Sequence, residues 1–330
     1  MREITIREAI REAIDEELAR DKNVFILGEE VAQYNGAYKI TKGLLEKYGD
    51  KRVIDTPIVE GGFTGLAIGA ALTGLRPIVE FMSFNFSFVA FDQIVSNALK
   101  MHYMSGGRFK VPIVFRGPNG AAARVSCQHS HNVEPLYAHF PGCIVLAPST
   151  AYDSKGLLKA AIRNDNPVFF LENEMIYNMK GEVPEHEYTV EIGKAKVIEE
   201  GVHLTLISYS RMIYFCREVV EDFKKKGIFI ELIDLCTIKP LDVGTIVSSV
   251  KKTHRAVVVE EGHKFAGISS EVISVIQEFC FDFLDAPVKR VCQMETPLPY
   301  SPVLEAETIP NPARIKKAIE EVLVGVDRCR

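Results

Sequence analysis

The chain has 330 residues, of which 47% are hydrophobic and 25% charged, which suits a soluble globular protein of about two domains. A formal net charge of -5 and a pI near 6.0 argue against a nucleic-acid partner. The most apolar run, residues 62–75, is cut off by Arg76 and Pro77 and is too short to span a bilayer. Seven cysteines without a CxxC pair read as reduced thiols in a cytosol-like compartment. Glu3 and Glu8, with no apolar stretch beside them, argue against a secretory signal, so a cytoplasmic setting is expected, and a mature organellar chain is compatible. The basic cluster Lys224, Lys225 and Lys226, followed by Gly227, reads as a solvated helix end.

The first element predicted is a helix over 5–20. Thr5 and Glu8 form a capping-box signature, and Ile6, Ala9, Ile10, Ala13, Ile14 and Leu18 recur on one face. Short apolar runs then alternate with helical patterns. Strands are expected at 24–27, 52–54, 77–81, 111–115, 144–147 and 168–171. Helices are expected at 41–48, 63–72, 88–104 and 152–163. Such alternation means a parallel sheet with helices on both faces. The segment 173–192 breaks the rhythm and marks a boundary. A second set follows, with strands at 204–208, 230–235, 256–259 and 288–291. Its helices are expected at 212–226, 243–252, 268–279 and 312–323, the last opened by Asn311 and Pro312. The fold class is α/β, in two parallel-sheet domains, 1–180 and 193–330, joined by a linker at 181–192.

Three stretches carry candidate chemistry. In DTPIVEGGFTGLAIGAALTG, Glu60 lies between a strand end and a helix rich in glycine and alanine, where the loops of α/β sheets bind ligands. The alternative is an ordinary helix-start glutamate favoured by the dipole. In EFMSFNFSFVAFDQI, Phe88 and Phe91 read as core, whereas Phe84 and Phe86 fall in a connecting loop and are candidate ligand platforms. The third stretch, FRGPNGAAARVSCQHSHNVEP, is a long loop carrying His129 and His131. Cys127, His129 and His131 alternate as metal ligands can, but there is no second ligand cluster. A histidine acting as acid, base or charge stabiliser is the preferred reading. His203 and His254 read as structural or surface residues.

Taken in order, DTPIVEGGF, EFMSFNFS, FDQI, YMSGG, VPIVFRGPNGA, QHSH and FFLENE resemble the beta subunits of pyruvate dehydrogenase. The likeness continues through LIDLCTIKPLD, VVVEEG, FLDAPVKRV, TPLPY and IPNPARI, so it covers essentially the whole chain. It implies a transketolase-type pyrimidine-binding domain followed by a transketolase C-terminal domain. It also implies an oxidoreductase that decarboxylates pyruvate on thiamine diphosphate and passes the acetyl group to lipoamide, toward acetyl-CoA. In that family the residue matching Glu60 hydrogen-bonds a ring nitrogen of the cofactor's aminopyrimidine. This favours the imino tautomer, whose exocyclic nitrogen takes the thiazolium proton. The residues matching Met82 and Phe86 lie against that ring, and the residue matching His129 faces the reacting centre. Relatives hold a potassium ion at positions matching Ile113, Ala161, Ile162, Asn164 and Asn166. Here Asn164-Asp165 reverses the family's order, which matters only if a side chain is a ligand.

The family's diphosphate and magnesium motif, GDG followed by an asparagine, is missing; only Gly49-Asp50-Lys51 stands in its place. The resemblance therefore implies half a site. An alpha subunit would hold the magnesium, in an alpha2-beta2 heterotetramer serving a lipoyl-bearing dihydrolipoamide acetyltransferase core. Beta subunits acting on branched-chain 2-oxo acids or acetoin are the alternative within the family. A non-catalytic docking subunit is the alternative outside it.

Overall fold

The structure, a computed structural model, describes residues 1–324; of the seven cysteines, only Cys329 lies outside them. Two compact units form, Met1–Asn119 with Leu136–Ile192, and Gly120–Pro135 with Gly193 onward.

In the first unit, β1 (Arg2–Thr5) leads into α1 (Ile6–Arg20). The Thr5 hydroxyl accepts the Glu8 N–H and the Glu8 carboxylate accepts the Thr5 N–H, the capping box read from sequence. There follow β2 (Val24–Gly28), α2 (Leu44–Tyr48), β3 (Val53–Asp55), α3 (Glu60–Leu72), β4 (Arg76–Glu80), α4 (Met101–Met104) and β5 (Val114–Pro118). Next come α5 (Glu134–His139), β6 (Ile144–Leu146), α6 (Ala151–Arg163), β7 (Val168–Glu172) and β8 (Lys180–Val183). The strands β6, β7, β5, β4, β2 and β3 are parallel neighbours in that order. β2, β5 and β7 are buried at every residue, which is why these runs are apolar without alternation. Within 173–192, β8 pairs antiparallel with β1, a ribbon that the charged sequence does not announce.

The second unit contains β9 (Lys196–Glu199), β10 (Leu204–Ser208), α7 (Met212–Lys224), β11 (Ile230–Asp234), β12 (Thr237–Lys239) and α8 (Val243–Thr253). It continues with β13 (Ala256–His263), α9 (Ile268–Cys280), β14 (Lys289–Gln293), α10 (Pro302–Thr308) and α11 (Pro312–Val324). Its sheet has the order β14, β13, β10, β11, β9, with only β9 antiparallel. Its core gathers Leu204, Leu206, Val219, Val257, Ile315 and Ile319.

One expected helix is broken. Residues 88–104 form the end of a 3-10 turn at Phe84–Phe88, a π-helical run at Gln93–Ala98, and α4. The π run lies against α3, where a Cβ on Gly65 would stand 3.2 Å from Gln93 Oε1. Two aromatic side chains of the preceding 3-10 turn also differ from expectation. Phe84, expected as a ligand platform, is fully buried, with its edge to Tyr137 and Phe169. Phe88, expected in the core, is 40% exposed. The sequence pattern has only the helical period to offer here and does not register a π bulge.

One ion cluster binds the carboxyl ends of three strands. Arg116 on β5, 1% exposed, forks onto both oxygens of Glu172 at the end of β7, at 2.5 and 2.6 Å. Its third nitrogen reaches Glu80 at the end of β4, and the Tyr177 hydroxyl donates to Glu172 at 2.6 Å. Burial pushes the Glu80 carboxyl up even beside Arg116. Removing the cation leaves two buried carboxylates uncompensated. Arg116→Met is therefore expected to lower unfolding free energy by about 3–5 kcal/mol, read as a drop in the urea midpoint; an unchanged midpoint contradicts the account.

Candidate active site

Because β4, β2 and β3 are parallel neighbours, their carboxyl ends open on one edge of the sheet, and the candidate residues follow those ends. Glu29 comes directly after β2. Glu60 opens α3 after β3. Met82 and Phe86, both half-buried, follow β4. The strand ends are close: a Cβ on Gly28 would stand 2.4 Å from the Glu80 carbonyl oxygen, so only glycine fits. The loop after β2 is held by Asp55 at the end of β3, whose carboxylate accepts the N–H groups of Ala32 at 2.6 Å and Gln33 at 3.0 Å. Glu30 takes a left-handed conformation at φ 61°, and its carbonyl accepts the Gly36 N–H at 2.8 Å.

Glu60 and Glu29 are each only 7% exposed. The Glu60 carboxylate makes no hydrogen bond or ion pair with a described residue, and Glu29 Oε1 is buried without a hydrogen-bond partner. Burial, and then the charge of Glu60, push the Glu29 carboxyl above its usual range. Buried polar groups are nearly always satisfied, so the buried Glu29 Oε1, with the Glu60 carboxylate at the same sheet edge, is suited to receive the donors of a ligand. The chemistry of the set fits an aminopyrimidine, with carboxylate acceptors for ring and amino N–H groups and apolar side chains beside them. Sequence reasoning singled out Glu60, Met82 and Phe86 but missed Glu29 and Asp55. A signal was present for both, since Glu29 directly follows the buried apolar run of β2 and Asp55 ends the short strand β3.

His129 belongs to the second unit, on a 3-10 turn at Cys127–His129. Burial, then His263 and His129, push the His131 imidazole down. Cys127, His129 and His131 do not converge as a metal-ligand set among the described residues. His203 and His254 are structural: Nδ1 of the first accepts the Phe229 N–H, and the second is the left-handed C-cap of α8. Gly49 caps α2 through its N–H to the Leu45 carbonyl, so Gly49-Asp50-Lys51 is a helix end. Around the turn at 161–166, the Ile162 and Asn164 carbonyls accept from Arg76 at 2.8 and 2.6 Å. The Ala161 and Ile113 carbonyls accept backbone N–H groups. The Asn164 Oδ1 accepts both N–H groups of Asn166, backbone and side chain. The reversed Asp165 pairs with Lys110 at 2.6 Å and Arg76 at 3.1 Å.

This arrangement, carboxylates at the ends of neighbouring parallel strands in the first of two α/β units, belongs to the transketolase class. Residues 2–180 match the transketolase pyrimidine binding domain and residues 193–315 the transketolase C-terminal domain. A solved structure described as "Split gene transketolase, inactive beta4 tetramer" shares the fold, with a TM-score of 0.81 at 20% identity, over 97% of this chain and 98% of that one. The chain is 52% identical to a Rickettsia felis protein, "Pyruvate dehydrogenase E1 component subunit beta", over 97% of this chain and 98% of that protein. Mitochondrial counterparts from Caenorhabditis elegans and Bos taurus are 52% and 50% identical, each over 97% of this chain and 92% and 91% of their own. The chain belongs to the family of pyruvate dehydrogenase E1 component beta subunits. Among the described residues, no helix is long and apolar enough to cross a membrane.

A raised carboxyl costs stability as pH climbs from its unfolded pKa through its folded one, because the native state binds the proton more tightly. Glu29→Gln removes that loss. The variant is expected to melt above the parent at pH 7, with the gap closing toward pH 4 in thermal scans; a gap that is constant with pH contradicts the assignment.

Proposed function

We propose that this chain is the beta component of an enzyme that decarboxylates pyruvate with thiamine diphosphate and delivers the acetyl group to a lipoyl arm. The observation that carries the reading is the pair Glu60 and Glu29, each 7% exposed and following β3 and β2, with Glu29 Oε1 buried and unpartnered, in a chain half identical to such beta subunits. Thiamine diphosphate supplies an electron sink for the pair of electrons left when carbon dioxide departs. Glu60 would accept the hydrogen bond of a ring N–H of the cofactor's aminopyrimidine and hold that proton in place. Burial, and then the charge of Glu60, push the Glu29 carboxyl above its usual range, and it would offer a second oxygen acceptor beside Glu60. Met82 and Phe86 would lie against the ring, Phe86 by stacking, and shield its face from water. His129 donates a proton or stabilises charge during transfer to the lipoyl group.

Magnesium and the diphosphate need a partner chain. Gly49-Asp50-Lys51 is spent on a helix cap, and exposed Ile58, Val59, Leu66 and Val89 around the start of α3 offer an apolar surface for an alpha-type subunit. An acetyltransferase core bearing lipoyl groups completes the reaction sequence. Potassium at the 161–166 turn is compatible, since each hydrogen-bonded carbonyl keeps a second lone pair.

The test is reconstitution with the alpha-type partner carrying the GDG motif. Pyruvate is expected to be turned over in preference to 2-oxoisovalerate, and the opposite preference moves the chain to the branched-chain group. Glu60→Gln is expected to lower decarboxylation by about 10²- to 10⁴-fold. An unchanged rate in that variant assigns the chain a docking role only.

A further inference from the structure

A buried carboxylate helps to tie the loop that carries His129 to the C-terminal unit. Segment 120–135 belongs to the second unit. Its stem closes through the Gly120 N–H to the His131 carbonyl at 2.9 Å, and Ala121 lies in that unit's hydrophobic core beside Leu204 and Val257. Glu261, near the end of β13 and 5% exposed, takes the Ala121 N–H on Oε1. Its Oε2 faces the Arg211 guanidinium at 3.8 Å. At the neighbouring Gly262 the strand runs against the loop again, since a Cβ there would stand 3.5 Å from Asn132 Cβ.

Beyond the stem, Arg124 and Ser126 take left-handed conformations at φ 64° and 67°, which side chains other than glycine adopt at a cost. Ser130, itself buried, bonds through its hydroxyl to the Ser126 carbonyl at 2.7 Å and closes the turn that presents His129. A strained tip keeps its shape only when the stem is held. Burying a carboxylate is costly unless it is paired and hydrogen-bonded, and among its partners Glu261 has the stem N–H and the Arg211 guanidinium.

We infer that Glu261 is the residue of the C-terminal unit that positions His129 for the transfer step, acting through the Ala121 N–H without touching substrate. The inference rests on the reading that His129 works in that step. It gives the C-terminal domain a part in setting the reaction's geometry in addition to assembly.

The experiment uses the reconstituted alpha–beta assembly, with pyruvate and a free lipoyl domain as acceptor. Glu261→Asp keeps the charge but draws the carboxylate back from Ala121, and its kcat is expected to fall by about 10- to 100-fold. KM for pyruvate is expected to change by less than about threefold, since binding of the small substrate is not what the loop controls. Glu261→Gln, which keeps an acceptor for the N–H, is expected to recover most of the rate. The deciding measurement is the cycle with His129→Ala: the double variant His129→Ala with Glu261→Asp is expected to be no slower than His129→Ala alone. Multiplying losses, or a Glu261→Asp enzyme at the parental rate beside a slow His129→Ala enzyme, overturn the inference and leave the role of His129 standing. A His129→Ala enzyme at full rate removes that role, and the inference falls with it. Equal melting temperatures and equal elution volumes of the assemblies separate misfolding from mispositioning.

Discussion

Arg116 sits where the sheet of the first unit could least tolerate an ion, and the working edge of that sheet is built around it. Its guanidinium joins Glu80 and Glu172, so the carboxyl ends of β4, β5 and β7 are held at fixed spacing by charge-assisted bonds in a setting without water. β4 runs directly from Glu80 into the loop with Met82 and Phe86. β7 runs into the turn where Tyr177 closes onto Glu172. Hydrophobic packing alone would leave the strand ends free to slide. The price is two buried carboxylates that depend on a single cation.

At the same edge, nearer β3, the accounting is left open. Glu60 and Glu29 have burial comparable to that of Glu80, but no arginine answers them. The carboxylates of β4 and β7 are neutralised internally, while those after β2 and β3 face no cation among the described residues. Asp55 shows that the difference is not neglect, since its two oxygens are spent on backbone N–H groups that shape the loop beyond Glu29.

The partition of the loop at 120–135 adds a division of labour. The first unit holds the groups suited to an aminopyrimidine, and the second unit holds His129 by a stem embedded in its own core. A chain segment that is contiguous with β5 in sequence is thus folded with a sheet whose strands begin some 60 residues further on, at Lys196. No local pattern announces such a choice, because the loop's contacts there, with Glu261 and the core around Ala121, are far from it in sequence.

Much of the architecture was legible before any coordinates. The apolar face of α1 and its Thr5–Glu8 box, the unalternated strands, the Asn311 cap and the two-part α/β alternation all follow from local chemistry and from the period of burial. Glu60 and its neighbours were legible through the order of motifs around them. Three things were not. Residues 84–104 form a 3-10 turn, a π-helical run against Gly65 and a short helix, and Phe84 and Phe88 have the reverse of their expected burial. The ribbon of β1 and β8 is made by backbone pairing between residues nearly the length of the domain apart. Glu29 read as one acidic residue among many until strand order set it beside Glu60. The sequence by itself determined which residue types stand at strand ends and helix starts, since propensity and periodicity act over a few residues. Only the tertiary structure decided which carboxylates find an internal cation and which remain unmatched, because pairing and desolvation depend on neighbours that the chain brings together from a distance.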